Sequence, residues 1–220
     1  MTIGKLLLLG AGLLVLFGAG QRVLDRLRLT DRQALLWIAL ILIGGFLPDI
    51  PVSSRFSFNL GGALIPLALS VWLWAKADRF VEKARTLAAV VLTAVAVGLL
   101  DRVLPESPEG MVLDPNYVCG LAAGLVAWLA GRSRRDAFVA GTLGVMLAEI
   151  VGAVYVWSRG VEQKLVLGGA GGYDVIVLSG LLAVLLCELT GEIAERAARG
   201  RRRPVRRFTG GDYAKEEKEP

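Results

Sequence analysis

Long apolar runs recur along the chain and are separated by short polar connections. The runs have 15 to 21 residues, close to the roughly 20 residues with which a helix crosses a hydrocarbon layer about 30 Å thick. A helix satisfies its own backbone hydrogen bonds, so such runs can cross lipid as helices. The pattern predicts seven transmembrane helices, at residues 4–20, 33–48, 60–76, 86–104, 117–131, 137–157 and 173–192.

Lysine and arginine concentrate in every second connection. Basic clusters follow the first, third and fifth predicted helices and fill the C-terminal tail, whereas the opposite side carries only Lys5, Arg55, Arg102, Arg159 and Lys164. Because basic residues accumulate on the cytoplasmic side of a membrane, this alternation predicts an N-terminus outside and a C-terminus in the cytoplasm. The predicted fold is an all-α, multi-pass protein of the cytoplasmic (inner) membrane.

Two regions are predicted: a helical membrane domain at residues 1–192, and a basic, disordered cytoplasmic tail at residues 193–220. The N-terminal start is open to a second interpretation, because Lys5, the apolar run 6–17 and Gly18-Ala19-Gly20 are also typical of a signal peptide. The basic cluster after residue 20 opposes translocation and favours a retained helix. Cleavage would leave six helices in the same orientation.

The composition argues against several classes of function. The 220 residues are 55% hydrophobic with a mean hydropathy of +0.58, so the chain lacks the polar surface of a soluble domain of this size. It has no histidine, which removes the usual zinc and haem ligands and every His-based triad. Cys119 and Cys187 lie in predicted helices at no metal-binding spacing, and we expect them to be apolar fillers. No cofactor or metal is predicted.

The basic excess, a net charge of +5 with a pI of about 9.5, comes largely from the topology pattern. The predicted partner is therefore the lipid bilayer and not nucleic acid, and no protein partner is indicated. The C-terminal tail has a denser basic cluster than the other connections on the predicted cytoplasmic side: Arg201, Arg202, Arg203, Arg206 and Arg207. Such a cluster attracts anionic lipid headgroups by about 1 kcal/mol per charge. A plain topology anchor is the alternative interpretation.

Small residues at four-residue spacing mark two helix faces. Gly120 and Gly124 form one pair, and Gly144, Ala148 and Gly152 form a second stripe. Such faces let helix backbones approach closely within lipid. We predict close packing at both.

Glu149 is the acid that the sequence places at membrane depth. It lies about 18 Å along the helix that begins near residue 137, and roughly 12 Å from its outer end, at 1.5 Å per residue. An acid at this depth is costly unless it is neutral, paired or hydrated, so it should face the bundle or a cavity. A functional acid and a protonated structural acid are both consistent with this position.

Two glycine-rich motifs stand before helices that are predicted to run inwards. Leu60-Gly61-Gly62-Ala63 opens one, and Leu167-Gly168-Gly169-Ala170 precedes the other. The second motif continues through Gly171 and Gly172, so four glycines fall within five residues. Glycine at such density permits close backbone approach that a simple helix cap does not need.

Polar side chains accompany these motifs at the outer side. Asp49 and Asn59 bracket the turn before the first motif, and Asp174 follows the second. Asn59 and Asp174 also suit helix N-caps, because their oxygens accept from free N–H groups. Asp101, beside Arg102, is expected to be a solvated residue at a helix boundary.

The motifs resemble a known family. The stretches Phe58-Asn59-Leu60-Gly61-Gly62-Ala63-Leu64-Ile65-Pro66 and Gly168-Gly169-Ala170-Gly171-Gly172-Tyr173-Asp174, followed by 178–183, are similar to the prokaryotic membrane family called domain of unknown function 1614. The resemblance covers most of residues 40–190. In that family an Asp often stands where this chain has Glu149, and Thr-Phe often precedes the last Asp. The resemblance implies a membrane protein and carries no activity.

The first functional hypothesis is a small transporter-like protein that binds a proton or cation. Asp49, Asn59, Glu149 and Asp174 would form an outward-facing acidic site beside the glycine motifs. Acids at membrane depth next to irregular backbone are what ion or proton coupling uses.

Two other hypotheses are weighed against it. A non-catalytic scaffold or assembly factor would use the outer loops or the basic tail to hold partners. An intramembrane aspartyl protease would use paired carboxylates, and Tyr173-Asp174 is similar to one motif of such enzymes. Their second motif, Gly-x-Gly-Asp, is missing, so a non-enzymatic role is favoured.

Overall fold

The computed structural model describes residues 31–104, 115–131, 133–171 and 174–201. Within these residues lie six α-helices: α1 (Asp31–Gly45), α2 (Ile65–Ala75), α3 (Phe80–Val103), α4 (Pro115–Ala130), α5 (Arg134–Ser158) and α6 (Val175–Arg201). They coincide with six of the seven predicted apolar segments, so the helical class is confirmed. The predicted helix at 4–20 lies outside the described residues.

Two of these helices are long and apolar enough to cross a membrane, namely α3 and α5. Four shorter apolar helical stretches accompany them: Leu36–Gly45, Leu60–Ala75, Val118–Ala130 and Val175–Gly191. The predicted membrane character is thus supported by length and composition for two helices. Seven spans and the orientation of the termini stay predictions.

The polar connections form a small sheet that the all-α prediction did not include. Strand β1 (Ile50–Pro51) pairs antiparallel with β2 (Phe56–Phe58), and β2 pairs parallel with β3 (Leu165–Leu167). The strands have two or three residues each, too few for the alternation that reveals a strand in sequence. The sheet ties two connections that are more than 100 residues apart in the chain.

The first glycine motif adopts a π-helical turn, Leu60–Leu64, directly before α2. The backbone carbonyl of Asn59 accepts from the N–H groups of both Ala63 and Leu64. Such wide turns are rare and concentrate at functional sites. Pro66 follows at the start of α2, where its missing N–H is no loss.

Helix α5 is central to the packing, since it contacts α2, α3 and α4. The predicted small-residue faces are partly confirmed. A Cβ at Gly144 would lie 2.6 Å from the Thr93 Cβ of α3, and one at Gly124 would lie 2.8 Å from the Leu182 Cδ2 of α6. Gly152 has no neighbour within 4 Å and packs against nothing described.

A buried polar cluster joins the N-terminal parts of α3 and α5. The Asp136 carboxylate accepts from the Arg85 guanidinium at 2.7 Å and from the Thr86 hydroxyl at 2.8 Å. The Ser133 hydroxyl accepts from the Asp136 N–H and caps α5. Buried charges are stable only when they are paired and hydrogen-bonded in this way.

The chain divides into two compact units, Met1–Glu188 and Leu189–Pro220. Helix α6 is helical to Arg201, so it continues past residue 192, where the sequence predicts the membrane domain to end. The predicted headgroup cluster lies outside the residues whose side chains are described: Arg201, Arg202, Arg203, Arg206 and Arg207.

Candidate functional site

Asn59 holds together the backbone around the two glycine motifs. Its side-chain Oδ1 accepts from the N–H groups of Gly61 and Gly62 at 3.0 and 3.1 Å. Its Nδ2 donates to the Leu47 carbonyl and to the Asp49 carboxylate, each at 3.1 Å. Both amide atoms are fully engaged, and the residue is only 3% exposed. Asn59 is therefore the predicted cap, and it also links the turn after α1 to the first motif.

The two glycine motifs meet face to face. A Cβ at Gly62 would lie 2.1 Å from the Gly168 carbonyl oxygen, and one at Gly168 would lie 2.4 Å from the Gly62 carbonyl carbon. Gly168 has a φ of +72°, which L-residues with side chains rarely adopt. The Asn59 N–H donates to the Leu167 carbonyl at 2.9 Å and continues the sheet into this contact. We call this backbone contact the glycine junction.

The remaining glycines extend the junction towards α1. A Cβ at Gly61 would lie 2.1 Å from the Gly45 nitrogen, and one at Gly171, whose φ is +62°, would lie 2.7 Å from the Gly45 oxygen. Gly169 is less constrained, because its nearest neighbour is the Val166 side chain at 2.9 Å. Gly172 lies outside the described residues.

Asp174 caps α6 directly after the junction. Its carboxylate accepts from the Ala170 N–H at 3.2 Å and from the Ile176 N–H at 3.1 Å. It precedes the apolar stretch of α6, which begins at Val175. Asp174 thus has the structural role that the cap interpretation predicts.

Glu149 differs from the other candidate residues. It lies fifteen residues into α5 and nine before its end, which is about 22 Å and about 14 Å along the helix. Within the described part of the chain no hydrogen bond or ion pair holds its carboxylate. The negative charges of Asp174 and Asp101 both act on it. Glu149 is therefore an acid inside a helix long and apolar enough to cross a membrane, with acidic neighbours and no hydrogen-bond partner among those residues.

The predicted four-residue site is thus divided. Asn59 and Asp49 lie in one hydrogen-bonded group, with Asp49 exposed. Glu149 and Asp174 interact electrostatically, and Asp101 joins them. Asp101 is exposed, as predicted for a solvated residue at a helix boundary. The predicted topology could have indicated that Asp101 lies near Glu149. The two residues lie in the C-terminal halves of α3 and α5, and both helices begin on the predicted cytoplasmic side.

The arrangement limits the chemistry of the acids. No group of three His, Cys, Asp or Glu side chains in the described residues is placed to hold a metal ion. Cys119 and Cys187 pack against apolar clusters, as expected for fillers. Carboxyl groups such as these can bind and release a proton.

The comparisons with known proteins agree with the motif resemblance. Residues 28–186 match the family described as protein of unknown function (DUF1614). No curated protein and no solved structure matches the chain. The match includes both glycine motifs, Glu149 and Asp174, and covers well over half of the sequence. The chain therefore belongs to the DUF1614 family of proteins of unknown function.

Proposed function

We propose that this chain is a multi-pass protein of the cytoplasmic membrane that binds and releases a proton at Glu149, as small proton-coupled transporters do. The observation that carries the proposal is the setting of Glu149. Its carboxylate lies mid-way along a helix able to span the membrane and has no described hydrogen-bond partner. It also interacts electrostatically with two other acids, Asp174 and Asp101.

The physical argument concerns the cost of charge. A carboxylate removed from water costs several kcal/mol, and a neutral acid or a bound cation removes most of that cost. Ionised Asp174 and Asp101 add repulsion to an ionised Glu149. A proton neutralises a carboxylate without any further ligand, so it is the ion that we propose. Asp174 would tune the site while its hydrogen bonds keep it fixed as a cap.

The glycine junction supports the proposal as a scaffold for the acids. It packs the backbone closely up to Gly171, three residues before Asp174, through the contact of Gly62 with Gly168 and of Gly45 with Gly171. A junction of close-packed backbone has little freedom to rearrange. The junction would therefore hold the start of α6, and with it Asp174, in one place.

The test is proton flux through the purified protein in liposomes. A potassium gradient with valinomycin would set a potential, and an enclosed pH-sensitive dye would report proton movement. We expect flux in the parent protein and its loss in Glu149→Gln, while Glu162→Gln, which removes an exposed acid, keeps it. Infrared titration of the same variants would report whether a protonated carboxyl is lost with Glu149.

Two results would contradict the proposal. Flux equal in Glu149→Gln and the parent would assign proton movement to other groups. Absence of both flux and any Glu149-dependent carboxyl signal would favour the scaffold alternative, which needs no titrating acid.

A further inference from the structure

A groove of about 580 Å³ lies between the sheet region and the C-terminal half of α5. Its lining is contributed by the β1–β2 connection and strands on one side and by α5 on the other: Ser53, Ser54, Arg55, Phe56, Leu165, Ile150 and Trp157. The volume is within the range of about 300–1,000 Å³ that is usual for small-molecule sites. We call it the sheet groove.

The lining of the sheet groove combines two kinds of side chain. Phe56, Ile150 and Leu165 supply apolar walls, whereas Ser53 and Ser54 supply hydroxyls. Arg55 is the charged residue of this lining. The groove thus combines a basic, hydrogen-bonding set of side chains with an apolar set that we call its trough, the two components that a site for an anionic amphiphile needs.

The position of the groove indicates which amphiphile. Val151 and Val154, on α5 next to it, are 58% and 53% exposed, and α5 is apolar enough to span a membrane. The Trp157 indole N–H donates to the Gln163 carbonyl at 2.7 Å, which orients the ring on the groove wall. Tryptophan in such a place is typical of the membrane–water interface. The trough therefore opens where lipid acyl chains would lie.

We propose that the sheet groove binds a phospholipid with an anionic headgroup. The headgroup accepts hydrogen bonds from the Arg55 guanidinium and the neighbouring hydroxyls, and one acyl chain lies against Phe56, Ile150 and Leu165. The inference rests on the membrane placement in the proposed function. It does not depend on proton binding at Glu149.

Glu162 is the built-in competitor for this headgroup. Its carboxylate accepts from Arg55 at 2.8 Å, with the two side chains 50% and 80% exposed. An ion pair so exposed contributes little to stability, so an anionic headgroup can replace it. Removal of Glu162 should free Arg55 and strengthen lipid binding, and removal of Arg55 should weaken it. These opposite signs separate the proposal from a general loss of structure.

The experiment uses the full chain in detergent and phosphatidylglycerol with brominated acyl chains, which quench nearby tryptophan. The signal is the part of the quenching that disappears in Trp157→Phe. We expect half-quenching at about tenfold lower phosphatidylglycerol than phosphatidylcholine, the size of one charge-assisted hydrogen bond. Arg55→Gln should remove this preference, and Glu162→Gln should enlarge it. Arg159→Gln is the matched control, because Arg159 lies over Tyr155 and outside the lining.

Each other outcome overturns a defined part of the idea. Equal quenching by the two lipids refutes an anionic headgroup site. Release of the lipid by millimolar inorganic phosphate assigns the site to free phosphate. If quenching is unchanged in Arg55→Gln, Arg55 does not bind the headgroup. Arg55→Lys is the comparison variant that preserves the charge. Glu149→Gln should leave the quenching unchanged, so a failed proton assay and a failed lipid assay are separate results.

Discussion

Asn59→Asp is the substitution that best tests the hydrogen-bond network at the glycine junction. The new side chain has almost the same shape, and its oxygen still accepts from the N–H groups of Gly61 and Gly62. What is lost is the amide donor to the Leu47 carbonyl and to the Asp49 carboxylate. The hydrogen bond to Asp49 is thereby replaced by a contact between two carboxylates, and the Leu47 carbonyl loses its donor.

The magnitude follows from the two distances. The two lost bonds, to the Leu47 carbonyl and to the Asp49 carboxylate, are worth about 1 kcal/mol each. Two unit charges 3.1 Å apart, the present separation of Asn59 Nδ2 and Asp49 Oδ1, repel by about 5 kcal/mol at an effective dielectric constant of 20. Because Asp49 is exposed, solvent and side-chain rotation reduce this to about 1–2 kcal/mol. The interaction of the new carboxylate with the helix dipole stabilises the fold by about 0.5 kcal/mol. We expect a net loss of about 3 kcal/mol in the free energy of unfolding.

The assay is a double-mutant cycle on the free energy of unfolding in detergent. Asp49→Asn alone should cost little, because its remaining oxygen still accepts from Asn59. In the double variant the amide at position 49 can donate to the carboxylate at position 59. We expect it to be more stable than Asn59→Asp by about 1–2 kcal/mol, a coupling usual for side chains in contact.

The comparison variant is Asn59→Ala, which removes all four hydrogen bonds of a buried side chain. We expect it to lose about 4 kcal/mol, at about 1 kcal/mol for each bond, with no recovery from Asp49→Asn. If the double variant is no more stable than Asn59→Asp, the contact of Asn59 with Asp49 is not as described and the reasoning fails.

Two further predictions concern packing and buried charge. Gly62→Ala should cost about 3 kcal/mol or more by thermal unfolding, since its Cβ would lie 2.1 Å from a backbone oxygen. Gly152→Ala should be neutral or stabilising by up to about 1 kcal/mol, because that glycine is helical with open space around it; an equal loss in both would contradict the junction. Asp136→Asn should cost about 3 kcal/mol by leaving Arg85 without its charge partner, whereas an unchanged unfolding midpoint would mean that the pair adds nothing.

The helices were predictable because their signal is long. Apolar runs of 15 residues or more leave little ambiguity about helix or strand, and the described helices follow them. The N-terminus of α3 was misjudged by six residues, since it begins at Phe80 and not at residue 86. Its first turns carry Glu82, Lys83 and Arg85, and a hydropathy pattern excludes such charged residues even where the backbone stays helical.

The sheet and the glycine junction were not predictable from periodicity. Strands of two or three residues take their stability from pairing across more than 100 residues of sequence, which no local pattern contains. The repeated Gly-Gly-Ala motif marked both halves of the junction, but its four matching residues did not indicate that they touch. The structure supplies that fact: Gly62 and Gly168 are each other's closest backbone neighbours beyond their own chain segments.

The acids divide according to whether the fold uses them. Asn59 and Asp174 satisfy N–H groups that would otherwise be left without partners at helix starts, so their presence is explained by structure alone. Glu149 satisfies none in the described residues and adds repulsion from Asp174 and Asp101. A partly buried acid that costs stability and makes no described hydrogen bond needs a reason outside folding, because an apolar side chain would fill the same position at lower cost. For this reason we propose a functional role for Glu149 and a structural role for the glycine motifs that precede Asp174.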